Sequence, residues 1–419
     1  KRNKQIIRPV ETLIENMQAQ LLIDYQQNKS GLRKSVFHKF PILKSLDYSY
    51  AYYDRKGIFR NRYPRKDFYF RLDTFELDSI NNLDPSGVEF KGTMFSSGIF
   101  PAFHDTLRIQ KDFSLGFITT TPPEGFSAYG GKGLYNDTID LSNRGFRGRG
   151  TIKYIASSTT SNDIYFFPNQ ATATANDFNI QNGTFNGVSF PKVESDSVYI
   201  DWMPYKDSMY VTSLANPFTL YDSMATMKGR LVVTPKGLFG VGKIEVKNGI
   251  MSSNSFKFNE SDYTSDNMKL ELKSKDPKKL AFMAKNVKGR MDMKTQKGSF
   301  ESNNKDIMND FDYNNYMTSM DKIDWDFKDS TLALSSTKKL KDTYFISKHK
   351  FQDSLSFNAK TSFYDMKTSV LKIDGIPYIS IADAHVYPDK NVVYVRPNAA
   401  MDTLKNAVVK TDTISFFHN

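Results

Sequence analysis

Gly145, Phe146, Gly148, Gly150, Ile152, Tyr154, Ile164 and Phe166 recur without a gap as Gly237, Leu238, Gly240, Gly242, Ile244, Val246, Phe256 and Phe258. The shared phrase, glycine–apolar–x–Gly–x–Gly–x–Ile–x–apolar, leaves little choice of fold. Side chains that alternate in this way have the two-residue period of a strand. Glycines set into such a run mark bulges or tight corners. A unit that recurs at long period buries its apolar face against a neighbouring unit, as stacked and solenoid architectures do. A third, partial copy shares Lys-Gly-Arg: Lys228-Gly229-Arg230 and Lys288-Gly289-Arg290 each precede an alternating run and a glycine, Gly237 and Gly298.

The tryptophans follow the same logic. Trp202 and Trp325 each sit in Ile-Asp-Trp ahead of a Lys-Asp-Ser. Duplication predicts that they fill matching buried positions in successive units. Asp201 and Asp324 beside them are the residue type of a glycosidase pair. Each belongs to its own copy of the phrase, however, and repetition accounts for both without catalysis. A shorter phrase, Asp then Ser or Thr then apolar–x–apolar, begins at Asp73, Asp105, Asp137, Asp196, Asp207, Asp353 and Asp412. Such side chains bond nearby backbone groups, so the phrase reads as the corner where a strand starts.

Two stretches read as helix. Val10, Leu13, Ile14, Met17, Leu21, Leu22 and Tyr25 follow the i, i+3, i+4 rule between Pro9 and Asn28. "DPKKLAFMAKN" has Asp276 as a cap and Pro277 in the first turn. The Pro- and Gly-rich stretch Thr119 to Gly133 reads as a bridge. The expected organisation is an N-terminal helix with a basic connector over 1–45 and a β region over 46–120. A bridge over 121–133 and a repeated β stack over 134–419 follow. The expected fold class is all-β, an elongated stack of β-solenoid or open β-jellyroll type with a short N-terminal helical segment. The chain opens on Lys1 with neither an initiator Met nor a signal peptide, and reads as a processed or excised fragment.

Few catalytic chemistries fit. The chain has no cysteine, which excludes disulfides and thiolate metal sites. His38, His104, His349, His385 and His418 lack metal spacing, and there is no Gly-x-Ser-x-Gly elbow. "GLFGVGKI", Gly237 to Ile244, nearly matches a phosphate-binding loop, but Ile244 stands where Ser or Thr would hold magnesium. Asp310, Asp312, Asn314 and Asp321 are spaced like calcium ligands, although Asn315 replaces the turn glycine and a polar turn is the expectation. No enzyme activity and no cofactor are expected.

The net charge of +11 is concentrated. Arg55, Lys56, Arg60, Arg62, Arg65 and Lys66 crowd one stretch among Tyr52, Tyr53, Phe59, Tyr63 and Phe68. Gly57 and Pro64 make a continuous helix improbable there. The stretch is a candidate contact for anionic lipid or acidic glycan; no nucleic-acid motif accompanies it. The alternative is a solvated face whose long side chains cover apolar surface. No run approaches the roughly 20 apolar residues of a membrane span.

The phrases "GTMFSSGIFPAFHDTLRIQKDFSLGF", "YGGKGLYNDTIDLSNRGFRGRGTIKY" and "YISIADAHVYPDKNVVYV" resemble a family of very large, uncharacterised exported proteins of Bacteroidota. That resemblance runs over most of 68–409. It implies an envelope location (periplasm, outer membrane or cell surface), other envelope proteins as partners, and no established activity. The last part of the chain, "FNAKTSFYDMKTSVLKI" and beyond, is similar to OstA-like lipopolysaccharide-transport repeats, which implies an open jellyroll with a greasy interior. The expected function is therefore a non-enzymatic structural or assembly component of a bacterial envelope. The alternatives are a lipid or glycolipid transport groove, and a glycan-binding or glycan-cleaving β-helix.

Overall fold

The computed structural model describes residues 13–27, 39–304, 306–411 and 413. These residues form an all-β protein, 58% strand and 4% helical, in which no helix reaches seven residues. There is no length for crossover helices, so strands joined by short corners have to pair antiparallel, and they do. The chain divides into two compact units. The first holds the described residues through Asn179 together with Asp196–Leu214, and the second holds Ile180–Ser195 and the described residues from Ala215 on.

The first unit is a meander. Ser49–Tyr52, Phe68–Leu72, Glu89–Ser96, Phe103–Ile109, Leu115–Thr120, Gly133–Ser142, Gly145–Tyr154, Ser157–Phe167 and Gln170–Ala175 pair in chain order, each with the next. After a long excursion, Val198–Met203 returns to pair with Gln170–Ala175 and Ser208–Ser213. The expected bridge contributes a strand of its own: Phe126–Ala128 pairs back onto Gly133–Ser142. Alternate residues point inward, and the interior is aromatic. Phe100, Tyr135, Phe146 and Phe166 are buried, with Phe100 and Phe166 4.9 Å apart between ring centroids.

The second unit begins the same way, with Ala225–Thr234, Gly237–Val246, Gly249–Phe258, Asp262–Lys273 and Leu280–Asp292 paired in chain order. From that last strand two ladders spring. Val287 to Asp292 pair with Lys297–Ser302, while Met283 pairs with Asp310. Thereafter hairpins alternate between the ladders. One continues through Lys322–Asp326, Thr331–Ser335, Thr361–Asp365, Val370–Asp374 and Val392–Arg396. The other continues through Asn309–Phe311, Tyr316–Thr318, Tyr344–Ser347 and Ser356–Asn358. Phe311 of one ladder meets Tyr364 of the other at 5.5 Å, both fully buried.

The glycine phrase forms the same local structure in both units. Gly148 faces Ile164 and Gly150 faces Ser161, so the ladder skips a step; Gly240 faces Phe256 and Gly242 faces Ser253 with the same skip. This is a β-bulge, which leaves two residues of one strand against one of the other. The amide it unpairs finds a serine in each unit. Ser161 Oγ accepts from Asp163 N at 3.0 Å and donates to Thr174 O at 2.7 Å. Ser253 Oγ accepts from Ser255 N at 3.0 Å and donates to Asn267 O at 2.7 Å.

Neither helix expectation holds. Ile14–Glu15 pairs with Ser49–Tyr52, and Ala19–Leu22 pairs with Ile42–Ser45, with Asn16 at φ 58 turning the chain between them. The short apolar pairs Leu13-Ile14 and Leu21-Leu22 satisfy a helical spacing and a broken strand pattern equally, and available strand edges decide between them. Pro9, Val10 and Asn28 lie outside the described residues. At Asp276 the cap signal makes one turn only, with Lys278 N donating to Asp276 Oδ1 at 2.9 Å and Lys279 N to Asp276 O at 3.1 Å. The chain then runs as strand Leu280–Asp292, because Asp262–Lys273 offers its edge. The Asp-Ser corners divide as well. Asp207 (φ 48) and Asp353 (φ 43) are turn residues, but Asp105 and Asp137 lie inside strands. Asp412 lies outside the described residues.

The bulge generates a test. A Cβ on Gly148 would run into Tyr135 Oη and come within 2.7 Å of Phe166, and one on Gly240 would lie 2.8 Å from Phe258 and 2.9 Å from Met227. Gly148→Ala and Gly240→Ala should each destabilise their unit by about 1–3 kcal/mol through overpacking. Ser161→Ala should cost about 1 kcal/mol by removing the hydroxyl that bonds Asp163 N and Thr174 O. Urea titration followed by tryptophan fluorescence reads all three.

Candidate functional site

The repeated tryptophans are core residues. Trp202 is 0% and Trp325 2% exposed. Each pairs across its ladder with a small residue on one side (Ala171 or Gly298) and an apolar one on the other (Met209 or Leu332). Each lays the far edge of its indole on a glycine: Trp202 on Gly133, where a Cβ would stand 2.6 Å from the ring, and Trp325 on Gly249. Both rings lie at the hairpin that follows the glycine phrase. Trp202 meets Tyr154 at 5.4 Å, and Trp325 covers Gly249 just beyond Val246. Both indole nitrogens are buried without a hydrogen-bond partner, so packing alone holds the rings. Asp201 accepts from Gln170 Nε2 at 2.6 Å, and Asp324 from Ser299 Oγ at 2.7 Å. Each carboxylate is bonded within its own ladder.

The basic stretch is a loop, tied down by its apolar residues. Ile58 and Tyr63 are fully buried, and Tyr63 Oη donates to Phe166 O at 3.1 Å while accepting from Phe146 N at 2.9 Å. Phe59, Arg60 and Asn61 all adopt left-handed backbone. This places the cations outside, but not equally free. Arg65 Nη1 donates to Glu15 at 2.7 Å and its Nε to Asp54 at 2.8 Å, and its guanidinium lies 4.2 Å from the centre of the Tyr52 ring. Its hydrogen bond to Asp54 holds that carboxyl below the ordinary range. Arg62 lies 3.5 Å over Phe167 and donates to Gln170 at 2.6 Å. Arg55, Lys56, Arg60 and Lys66 make no ion pair among the described residues.

The calcium-like residues do not converge. Asp310 and Asp312 hold Lys348 Nζ, at 2.7 and 3.4 Å. Asn314 is buried, with its amide donating to Ser369 O and Val395 O. Asp321 is spent on Thr337, accepting from its N and Oγ1. Among the described residues no cluster of three His, Asp or Glu is placed to hold a metal. Gly237 to Ile244 lies wholly inside a strand paired on both sides, which offers no helix N-terminus to a phosphate. His104 bonds Asp73 at 2.9 Å and His385 stacks on Tyr378 at 4.2 Å; His38 and His418 lie outside the described residues.

The bulges open clefts that periodicity alone does not reveal. In the first unit, Arg149 stands alone against Asn162 and Asp163, and beside it lies a cleft of about 550 Å³. Its wall is charged. Arg147 Nη2 donates to Asp140 Oδ2 at 2.7 Å and its Nη1 lies 3.8 Å from Asp163, while its Nε is buried and unpartnered. Arg144, Arg149 and Lys111 line the same cleft without an ion pair among the described residues. In the second unit, Val241 stands against Asn254 and Ser255 beside a cleft of about 540 Å³. There the counterparts of Asp140 and Arg147 are Val232 and Phe239, paired in the same register. The sequence signal was Arg149 between two glycines; Asp140 and Asp163 come from the flanking strands and had no signature.

No family model, curated protein or solved structure matches the chain. Among the described residues no helix is long and apolar enough to cross a membrane.

Two stability tests follow. Trp202→Ala and Trp325→Ala should each cost about 3–5 kcal/mol, read as a lower urea midpoint. Replacing Arg65 with Ser breaks a partly exposed pair of salt bridges and should cost about 1 kcal/mol. Lys56→Ser with Lys66→Ser should leave the midpoint unmoved.

Proposed function

We propose that the chain is a non-enzymatic structural or assembly component of a bacterial cell envelope. The observation that carries this reading is the filled interior. Aromatic and aliphatic side chains meet across the core of each unit, and the largest of them, from Trp202 and Trp325 to Phe117, are under 2% exposed or at that limit. A lipid groove asks for an apolar interior open along one edge, whereas the two bulge clefts are lined by charged and amide groups. The envelope location rests on the resemblance to exported proteins of Bacteroidota.

An assembly role needs surfaces that hold partners. Val408–Thr411 pairs on one side with Ala384–Tyr387, and all four of its residues are exposed. Among the described residues nothing pairs its other edge. Such an edge accepts an added strand. The free cations Lys56, Arg60 and Lys66 offer a second, electrostatic contact to anionic lipid or acidic glycan, which salt weakens.

Site-specific photocrosslinking from Val409 in the producing bacterium, followed by fractionation, tests the reading. The expected result is a discrete adduct to an envelope protein in the envelope fraction, lost on Val408→Pro. A chain that fractionates with the cytoplasm, or turns over a glycan, overturns it.

A further inference from the structure

The arginine cleft of the first unit has no scaffolding explanation. Its backbone device, a glycine bulge closed by a serine, occurs also in the second unit with the same register and the same hydrogen bonds. There the cross-strand pair is Val232–Phe239, and Val241 and Ser255 stand where the first unit has Arg149 and Asp163. The fold therefore accepts an apolar pair at this place. Drawing a guanidinium and a carboxylate partly out of water costs more than packing such a pair, and often returns no net stability. The first unit nonetheless keeps Arg147 only 20% exposed, against an Asp140 that is 21% exposed.

The charges are arranged to receive a ligand. Asp140 holds the Arg147 guanidinium at 2.7 Å, and Asp163, 56% exposed, lies 3.8 Å from its other terminal nitrogen. Arg149, Arg144 and Lys111 line the same cleft and make no ion pair among the described residues. Lys111, Arg144, Arg147 and Arg149 outnumber Asp112, Asp140 and Asp163, so the lining is net positive. Guanidinium forks match the oxygens of a phosphate, and several around one point suit a doubly charged group better than a single carboxylate. Gln110, Asn162 and Ser142 add groups that bond hydroxyls, and Ile118, 59% exposed, adds an apolar surface for a C–H face. The volume lies within the roughly 300–1,000 Å³ of small-molecule sites.

We propose that this cleft binds a phosphate monoester carried on a sugar, with Arg147 and Arg149 on the phosphate and Asn162, Asp163 and Gln110 on hydroxyls. The proposal does not depend on the envelope role, since a scaffold of the same fold has no need of the arginines.

Isothermal titration of the whole chain at low salt tests it, with glucose 1-phosphate, inorganic phosphate, glucuronate and glucose as probes. Vesicles containing phosphatidic acid form a separate arm. Glucose 1-phosphate should bind at least ten-fold tighter than glucuronate or glucose. Arg149→Met, at the rim, should weaken it at least ten-fold with the urea midpoint unchanged, and Arg144→Met by a smaller factor. Val241→Met in the second unit should change nothing. Binding of the vesicles alone, abolished by Arg149→Met, would support the phosphate contact and place its source on a lipid headgroup, overturning the sugar assignment. If no phosphate ester binds, if glucuronate binds as well as the phosphate, or if Arg149→Met binds as wild type does, the proposal fails.

Discussion

Large rings laid across glycines set the geometry of both units. Trp202 covers Gly133 and Trp325 covers Gly249; Tyr135 and Phe166 close over Gly148, and Phe258 over Gly240. At each of these places a Cβ would stand under 3.0 Å from ring atoms. Ring edges come close to the backbone at these points, where any side chain beyond hydrogen would hold them off. A chain without cysteine, and with no long helix among its described residues, has few other ways to fix a bent antiparallel sheet. Phe and Tyr supply the rings and glycine the floor, so the aromatic content and the glycine phrase are two parts of one device.

The bulges depend on those contacts. A ladder that skips a step leaves an amide without its cross-strand partner, and even a partly buried one is better paired. Ser161 and Ser253 meet that need with the same pair of bonds, two residues before Asp163 and Ser255. The serines recur at the spacing of the glycines, so the duplicated element is larger than its apolar residues. The bulge also turns two consecutive side chains of one strand toward the same opening. That opening is therefore a by-product of a structural repeat, and what lines it is free to differ between copies.

Much of this was legible in the sequence. Alternation gave the strands, spaced glycines the bulges, and duplication the buried role of both tryptophans. What was not legible depended on partners distant in the chain. Ile14, Leu21 and Leu22 fit a helical stripe, and only the edges of Ser49–Tyr52 and Ile42–Ser45 made them strands. Asp276 capped a turn as its chemistry required, but Asp262–Lys273 then competed for the following backbone and won it. Arg65 and Lys66 are adjacent and alike in sequence, yet one is held between Glu15 and Asp54 and the other makes no ion pair among the described residues. Asp310, Asp312 and Asp321 have the spacing of a calcium loop, but Lys348 and Thr337 reach them first.

The two bulges also separate what a repeat preserves from what it releases. Gly150 and Gly242, and Ser161 and Ser253, are the same residues because they meet backbone, and backbone geometry admits few substitutes. Arg147 and Phe239, or Asp140 and Val232, differ because they face outward from equivalent rungs, where the fold asks only for a cross-strand pair of compatible character. Charge on such a rung is a choice the sheet does not make. In the first unit charge stands on three adjacent strands, with Arg147 bonded to Asp140 and Asp163 3.8 Å away beside the same opening. A single exposed ion pair on one strand would be unremarkable surface. A half-buried pair on two strands, with an exposed carboxylate of a third beside it, at a site whose twin is served by Val and Phe, carries charge that the repeat itself does not require.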